Sequence, residues 1–161
     1  TCEDVGKFPE AYFVCAVGAS KVRERIIQKV KTVNPNIQFG TVVDPSVEKS
    51  DLVEIGKGTI ICAHTIITVN VTIGNHVIMN LDCTVGHDSV IHDFVTLYPS
   101  VNVSGITTLG HGCEMGTGAQ IIQETAVGDY AIVGAGAVVV RDIPGNCTAV
   151  GAPARPVKFA D

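Results

Sequence analysis

From Ile55 to Val139 every sixth residue is aliphatic or methionine, and no polar residue breaks the column. Ile55, Ile61, Ile67 and Ile73 open it, and Val127, Val133 and Val139 close it. Four places after each member comes a small or β-branched residue, from Thr59, Thr65 and Val71 through Cys83 and Ser89 to Ala131 and Ala137. A fixed short period of this kind marks a solenoid, whose repeats bury their apolar side only by stacking on one another. The core it implies is built from small and β-branched side chains, as stacked strands require. The composition agrees: 46% of residues are hydrophobic but only 5% are aromatic, and there is no tryptophan.

Three beats make a longer period of eighteen residues. Gly56, Gly74, Gly110 and Gly128 fall on it, His92 fills the one gap, and Asn146 takes the next place. This reads as one sharp corner per coil, where a side chain would clash and a left-handed backbone is favoured. The residues just after it, Lys57, Asn75, Asp93, His111 and Asp129, are polar and predict an edge that faces water. The other two edges of the prism are less polar. One carries Ala63, Leu81, Pro99, Thr117 and Ala135; the other carries Val69, His87, Gly105, Gln123 and Arg141. Such edges on a rod predict self-association.

The expected organisation is a solenoid at 41–147 and a C-terminal turn and tail at 148–161, punctuated by proline at Gly151–Pro156. Residues 1–40 form a partial α/β unit. Within it Ala11–Gly18 predicts a buried strand ending in glycine. A helix over 20–32 follows, with Ser20 as its N-cap, Val22, Ile26, Ile27 and Val30 on its apolar face, and Lys21, Arg23, Glu24 and Lys29 opposite. One strand and one helix cannot bury both faces of a sheet, so residues 1–40 read as the last piece of an N-terminal α/β domain.

Net charge is −5, which argues against a nucleic-acid partner. There is no apolar run of membrane-spanning length and no secretory signal, and no CxxC pair occurs among the six cysteines. Free thiols and a cytoplasmic setting are expected.

The aliphatic-Gly-x-x-small-x repeat resembles that of the hexapeptide-repeat acyltransferases, left-handed parallel β-helices. The segment Val85-Gly-His-Asp-Ser-Val-Ile-His-Asp-Phe-Val95 is similar to the active-site coil of their sialic acid O-acetyltransferase and nucleotide-sugar N-acetyltransferase branch. The strand, glycine and helix of Ala11–Val30 and the closing Gly151–Arg155 turn resemble that branch too. Its opening strand and glycine-rich nucleotide loop have no counterpart in these 161 residues.

The resemblance implies acetyl transfer from acetyl-CoA to a sugar, above all to the amino group of a UDP-linked aminosugar, with no metal. Sialic acid O-acetylation is the alternative acceptor chemistry. It implies His87 as general base, supported by Asp88, and Gly105 at the acetyl group. It carries acetyl-CoA contacts onto Thr96, Thr117 and Ala135, and a sugar-nucleotide contact onto Gly18. A homotrimer with active sites between subunits follows from the same source. The residues themselves agree on the base, since an imidazole titrates near neutral pH and a carboxylate beside it favours the protonated form. Gly105 lies one coil beyond His87, about 4.7–4.9 Å along the axis. Arg141 shares the His87 edge and is expected at the phosphates of coenzyme A.

Two readings of other classes compete. His87 and His92 have the spacing of γ-carbonic anhydrase-like zinc lyases, which need a third histidine. A solenoid also serves as a non-catalytic scaffold. Between Ile55 and Pro144 the hexads leave no room for the long loop of antibiotic-modifying relatives.

Overall fold

The computed structural model describes residues 2–160, with side chains from Asp4 onward. Two-residue strands recur every six residues from Val42–Val43 to Val138–Val139, and a four-residue strand, Cys147–Val150, follows. They stack into three parallel sheets of eight, five and six strands, of which the eight-stranded one ends in an antiparallel hairpin. Register is kept at eighteen residues: Thr84 pairs with Asn102 and Val85 with Val103. Each coil therefore pairs with the next by parallel ladders, the arrangement of the left-handed β-helix acetyltransferases expected from sequence.

The aliphatic column is the core. From Ile61 to Val139 every member is at most 2% exposed, and the small column from Thr59 to Ala137 is buried with it. Polar members of the small column are satisfied internally, as buried hydroxyls must be. Thr59 Oγ1 donates to the Gly74 carbonyl at 2.9 Å, Thr65 Oγ1 to Asn80 at 3.1 Å, and Ser89 Oγ to Ser104 at 3.2 Å. Burial raises the thiol pKa of Cys83 to about 11 and pushes that of Cys113 well up. Both are inert fillers. Cys15, Cys62, Cys83, Cys113 and Cys147 are free thiols; the Cys2 thiol lies outside the described side chains.

The corners differ from expectation. The left-handed backbone does not fall on Gly56, Gly74, Gly110 and Gly128. It recurs two residues later and at every corner from Gly58 to Gly136, at His64, Asn70, His76, Asp82, Asp88, Phe94, Ser100 and Ile106 among others. The clash expected at the once-per-coil glycines is there, since a β-carbon at Gly74 would lie 2.6 Å from the Asp93 backbone nitrogen, and Asn146 has the left-handed backbone expected of it.

Strand β1 (Tyr12–Phe13) and strand β2 (Gln38–Phe39) pair in parallel and flank helix α1 (Ser20–Val33). The segment 11–18 is not the buried strand expected: only two residues pair, and Tyr12 and Val14 are exposed, with no described residue packed over them. Nor is Ser20 the N-cap. Ala19 takes that position, and Ser20, the first helical residue, uses its hydroxyl elsewhere. Val22 is exposed, whereas Arg23 is wholly buried. The edge expected to face water is where α1 docks. Ser20 Oγ donates to the Gly112 carbonyl at 2.7 Å, and Glu24 pairs with His111 Nε2 at 3.2 Å and with the Tyr130 hydroxyl at 2.8 Å. A ladder of rings, Phe39, His76, Phe94, His111 and Tyr130, runs along this junction.

At the C-terminus the chain turns at 151–154, and Arg155–Phe159 returns as an antiparallel partner of Cys147–Val150. No helix among the described residues is long and apolar enough to cross a membrane.

Candidate active site

His87 and Asp88 form the corner between strands Thr84–Val85 and Val90–Ile91. Their main chain is pinned from both neighbouring coils. The Asp88 N–H donates to the Val69 carbonyl at 3.1 Å, and the His87 carbonyl accepts from Ile106 N–H at 2.7 Å. The side chains meet at 2.7 Å between His87 Nδ1 and Asp88 Oδ2. The other carboxylate oxygen accepts from Asn70 Nδ2, one coil earlier, at 3.2 Å. His87 first, and then Asn70, holds the Asp88 carboxyl below the usual carboxylate range. An ionised Asp88 keeps the proton on Nδ1 and leaves the lone pair of Nε2 free, the tautomer a general base needs. Both side chains are about half exposed, so a substrate can reach them.

The imidazole packs over Gly105. A β-carbon at that residue would lie 2.7 Å from Nε2, so the ring in its present position leaves room only for glycine. The Gly105 N–H makes no hydrogen bond to any described residue. On the docked edge the equivalent N–H groups of Lys57, Asn75 and His111 donate to Asn75 Oδ1, Asp93 Oδ1 and Asp129 Oδ1. Among the described residues the His87 edge has no such side-chain ladder, and a backbone donor is left open one coil beyond the imidazole.

The remaining candidates separate into three places. Arg141 is exposed on the His87 edge. Thr117 and Ala135 are exposed on the other free edge. The six-stranded sheet lies between these two edges, about six residues across, which puts them on the order of 15–20 Å apart in one subunit. Thr96 is fully buried in the subunit; its hydroxyl donates to the Gly18 carbonyl at 2.7 Å and accepts from Arg23 Nη2 at 2.9 Å.

Gly18 itself is half-buried beside Tyr98. Tyr98 donates to Glu114 Oε2 at 3.2 Å, and burial, followed by Glu114, raises its pKa. Glu114 Oε1 receives the Ser20 N–H at 2.8 Å and the Ser20 hydroxyl at 2.9 Å. Arg23, Ser20, Tyr98 and Glu114 are not marked by sequence pattern as parts of this junction, because the contacts that join α1 to the coils, such as Arg23 to Phe94 and Ser20 to Glu114, span more than seventy residues. Among the described residues no three His, Cys, Asp or Glu side chains gather as a metal site would require.

Comparisons with known proteins point the same way. The chain is 32% identical over 153 residues to the GDP-perosamine N-acetyltransferase of Escherichia coli O157:H7, spanning 91% of this chain and 68% of that one. It matches the acetyltransferase domain of PglB from Neisseria gonorrhoeae in complex with acetyl coenzyme A with a TM-score of 0.91 and 31% identity, over 98% of this chain and 77% of that one. A mutant of perosamine N-acetyltransferase from Caulobacter crescentus, in complex with CoA and GDP-perosamine, matches with a TM-score of 0.90 and 27% identity over 99% of this chain and 74% of that one. No protein-family model matches the chain. A stacked hexapeptide solenoid with a paired histidine and aspartate at one corner is the hexapeptide-repeat acetyltransferase arrangement. The chain belongs to that family, in its nucleotide-sugar N-acetyltransferase branch.

Proposed function

We propose that the protein moves an acetyl group from acetyl-CoA to the amino group of a nucleotide-linked aminosugar. The observation that carries the reading is the His87–Asp88 pair, with Nδ1 engaged at 2.7 Å and Nε2 beside a glycine whose N–H has no partner among the described residues. The amine attacks the thioester carbonyl carbon and gives its proton to His87 Nε2. The Gly105 N–H donates to the oxyanion that develops. The C–S bond then breaks, and the imidazolium returns the proton to the leaving thiolate. Asp88 stabilises the imidazolium between these two steps.

The names of the relatives bring in GDP as a carrier nucleotide beside the UDP that the sequence resemblance implies. Gly18 contacts the nucleotide sugar, Arg141 the phosphates of acetyl-CoA, and Thr117 and Ala135 its extended arm. One cofactor body reaches both exposed edges most directly when a neighbouring copy lays its Thr117 edge against the His87 edge. Such a heterologous contact closes into a ring, which here is a homotrimer with three shared sites. The free thiols support a cytoplasmic setting.

The test is His87→Ala, assayed with acetyl-CoA and a panel of GDP- and UDP-linked aminosugars. Turnover should fall at least about 10³-fold while acetyl-CoA binding is retained. A variant that keeps the wild-type kcat removes His87 as the base.

A further inference from the structure

Arg23 is the largest side chain with no exposed surface among the described residues. It has six acceptors within hydrogen-bond distance, and none is a carboxylate. Nε donates to the His76 carbonyl at 2.9 Å. Nη1 donates to the carbonyls of Val17 and Gly18 at 2.6 and 2.8 Å. Nη2 donates to the carbonyls of Phe94 and Val95 at 2.7 and 3.2 Å, and to Thr96 Oγ1 at 2.9 Å. Burial lowers its pKa despite the distant attraction of Cys15 and Glu114. A buried cation without an anionic partner is a poor stabiliser, and an apolar side chain of similar volume generally serves the fold as well or better. The arrangement therefore calls for a geometric reason.

The partners supply one. Phe94, Val95 and Thr96 belong to the coil turn that begins at His87, and His76 to the coil before it. Val17 and Gly18 end the segment that leads from β1 into α1. Thr96 closes the figure, because its hydroxyl donates to the same Gly18 carbonyl that Arg23 Nη1 holds. In a trans peptide the N–H points opposite to the C=O. With the carbonyls of Val17 and Gly18 both turned onto Arg23, the N–H groups of Gly18 and Ala19 point away from it. Neither makes a hydrogen bond to a described residue. A glycine with its N–H fixed and no β-carbon in the way is suited to an acceptor oxygen of a ligand.

We infer that Arg23 and Thr96 are positioning residues, which fix the Gly18 main chain as a donor to the nucleotide sugar and in register with the coil turn that carries His87. The inference rests on the function proposed above. It also inverts the role that resemblance gives Thr96. A hydroxyl that touches acetyl-CoA and a hydroxyl that holds Gly18 affect different ligands when removed.

The experiment is calorimetric titration of the full chain with acetyl-CoA, GDP-perosamine and UDP-glucosamine, for wild type, Thr96→Val and Thr96→Ser. Valine keeps the shape and loses the hydroxyl; serine keeps the hydroxyl. Thr96→Val should weaken the nucleotide sugar that wild type binds by about tenfold, the scale of one hydrogen bond, and leave acetyl-CoA within about twofold. Thr96→Ser should restore the nucleotide-sugar affinity. Arg23→Lys, which offers one ammonium in place of a planar fork, should show the same split with a larger loss; should it fail to fold, the Thr96 pair still decides. Weakened acetyl-CoA binding in Thr96→Val, or unchanged nucleotide-sugar binding, overturns the inference and leaves the proposed function standing. A wild type that binds acetyl-CoA and neither nucleotide sugar overturns the substrate class and this inference together.

Discussion

The His87 imidazole stands directly over Gly105, so closely that a β-carbon at residue 105 would come within 2.9 Å of Cδ2 and Cε1 as well as 2.7 Å of Nε2. Side chains essentially never pack at that distance, and one group must yield. The ring is about half exposed and can swing outward, away from Asp88 and from any bound thioester. Gly105→Ala should therefore fold with a melting temperature close to wild type and lose on the order of 10²-fold in kcat, the scale of an ångström's misplacement. Paired melting curves and initial-rate assays check this; full activity in Gly105→Ala would show that the ring does not need its present position.

The proton on His87 Nδ1 is held there by an ionised Asp88. Asn at residue 88 presents an amide that can donate to Nδ1, which favours the tautomer with the proton on Nε2 and removes the base. Asp88→Asn should reduce kcat by about 10³–10⁴-fold, as the wrong tautomer does in serine-protease triads. Asn70→Ala removes only the second donor to Asp88, and its loss should stay within about tenfold. Because His87 and Asn70 depress the Asp88 pKa, Asp88 stays ionised well below neutral pH. The acid limb of the pH–rate profile should therefore follow another group. A profile whose acid limb disappears in Asp88→Asn contradicts that assignment.

What could be read from the sequence follows how locally each feature is determined. The aliphatic and small columns are legible because every coil repeats the same demand for a dry interior. The His87–Asp88 corner is legible as a local motif. The left-handed corner position was misread because its occupants are chemically mixed, from Asn70 and Asp88 to Phe94, Ile106 and Tyr130, and the coil geometry overrides their preferences. Arg23 was misread for a related reason. The buried stripe of α1 is Ser20, Arg23, Ile27 and Val30, which has helical spacing but is polar in its first half. Hydrophobicity alone turns the apolar face toward Val22, and the remote carbonyls that receive the guanidinium leave no local trace. That Thr96 lies beneath the N-terminal unit, with its hydroxyl on the Gly18 carbonyl, leaves no trace in the hexad pattern.

His76 gives the fold a pH dependence of definite sign. Its ring lies between Phe39 and Phe94, and its Nδ1 is buried without a hydrogen-bond partner. Burial first, and then the nearby Lys31, lowers its pKa to about 4, against the pull of Asp93. In the unfolded chain an imidazole titrates near 6.5. The unfolded state therefore binds the proton more readily between these values, and stability is complete above about pH 6.5 and lost as pH falls toward 4. The two pKa values differ enough for this to reach about 3 kcal/mol. His76→Phe should flatten this limb, since Phe94 already occupies the same left-handed corner position one coil on. Melting temperatures of both proteins from pH 7.5 to pH 4.5 test it; parallel curves would assign acid loss to other groups.

Gly18 differs from Gly105 in what it needs from the protein. Its φ lies outside the left-handed region, and a β-carbon there would meet the Tyr98 hydroxyl at 3.6 Å, an ordinary contact. The folded chain accepts alanine at this place, so the glycine is explained by something that approaches from outside. With the N–H groups of Gly18 and Ala19 facing away from Arg23, a methyl on residue 18 would stand beside the donors proposed for the nucleotide sugar. Gly18→Ala should keep its melting temperature and its acetyl-CoA KM, and raise the KM for the nucleotide sugar by about tenfold or more, with kcat at saturation little changed. Losing one hydrogen bond and adding a methyl contact together amount to at least that factor. Equal KM values for the nucleotide sugar in wild type and Gly18→Ala would move the substrate contact elsewhere on the α/β unit, and the pairing of Gly18 with Thr96 would then serve only to dock that unit on the helix of coils.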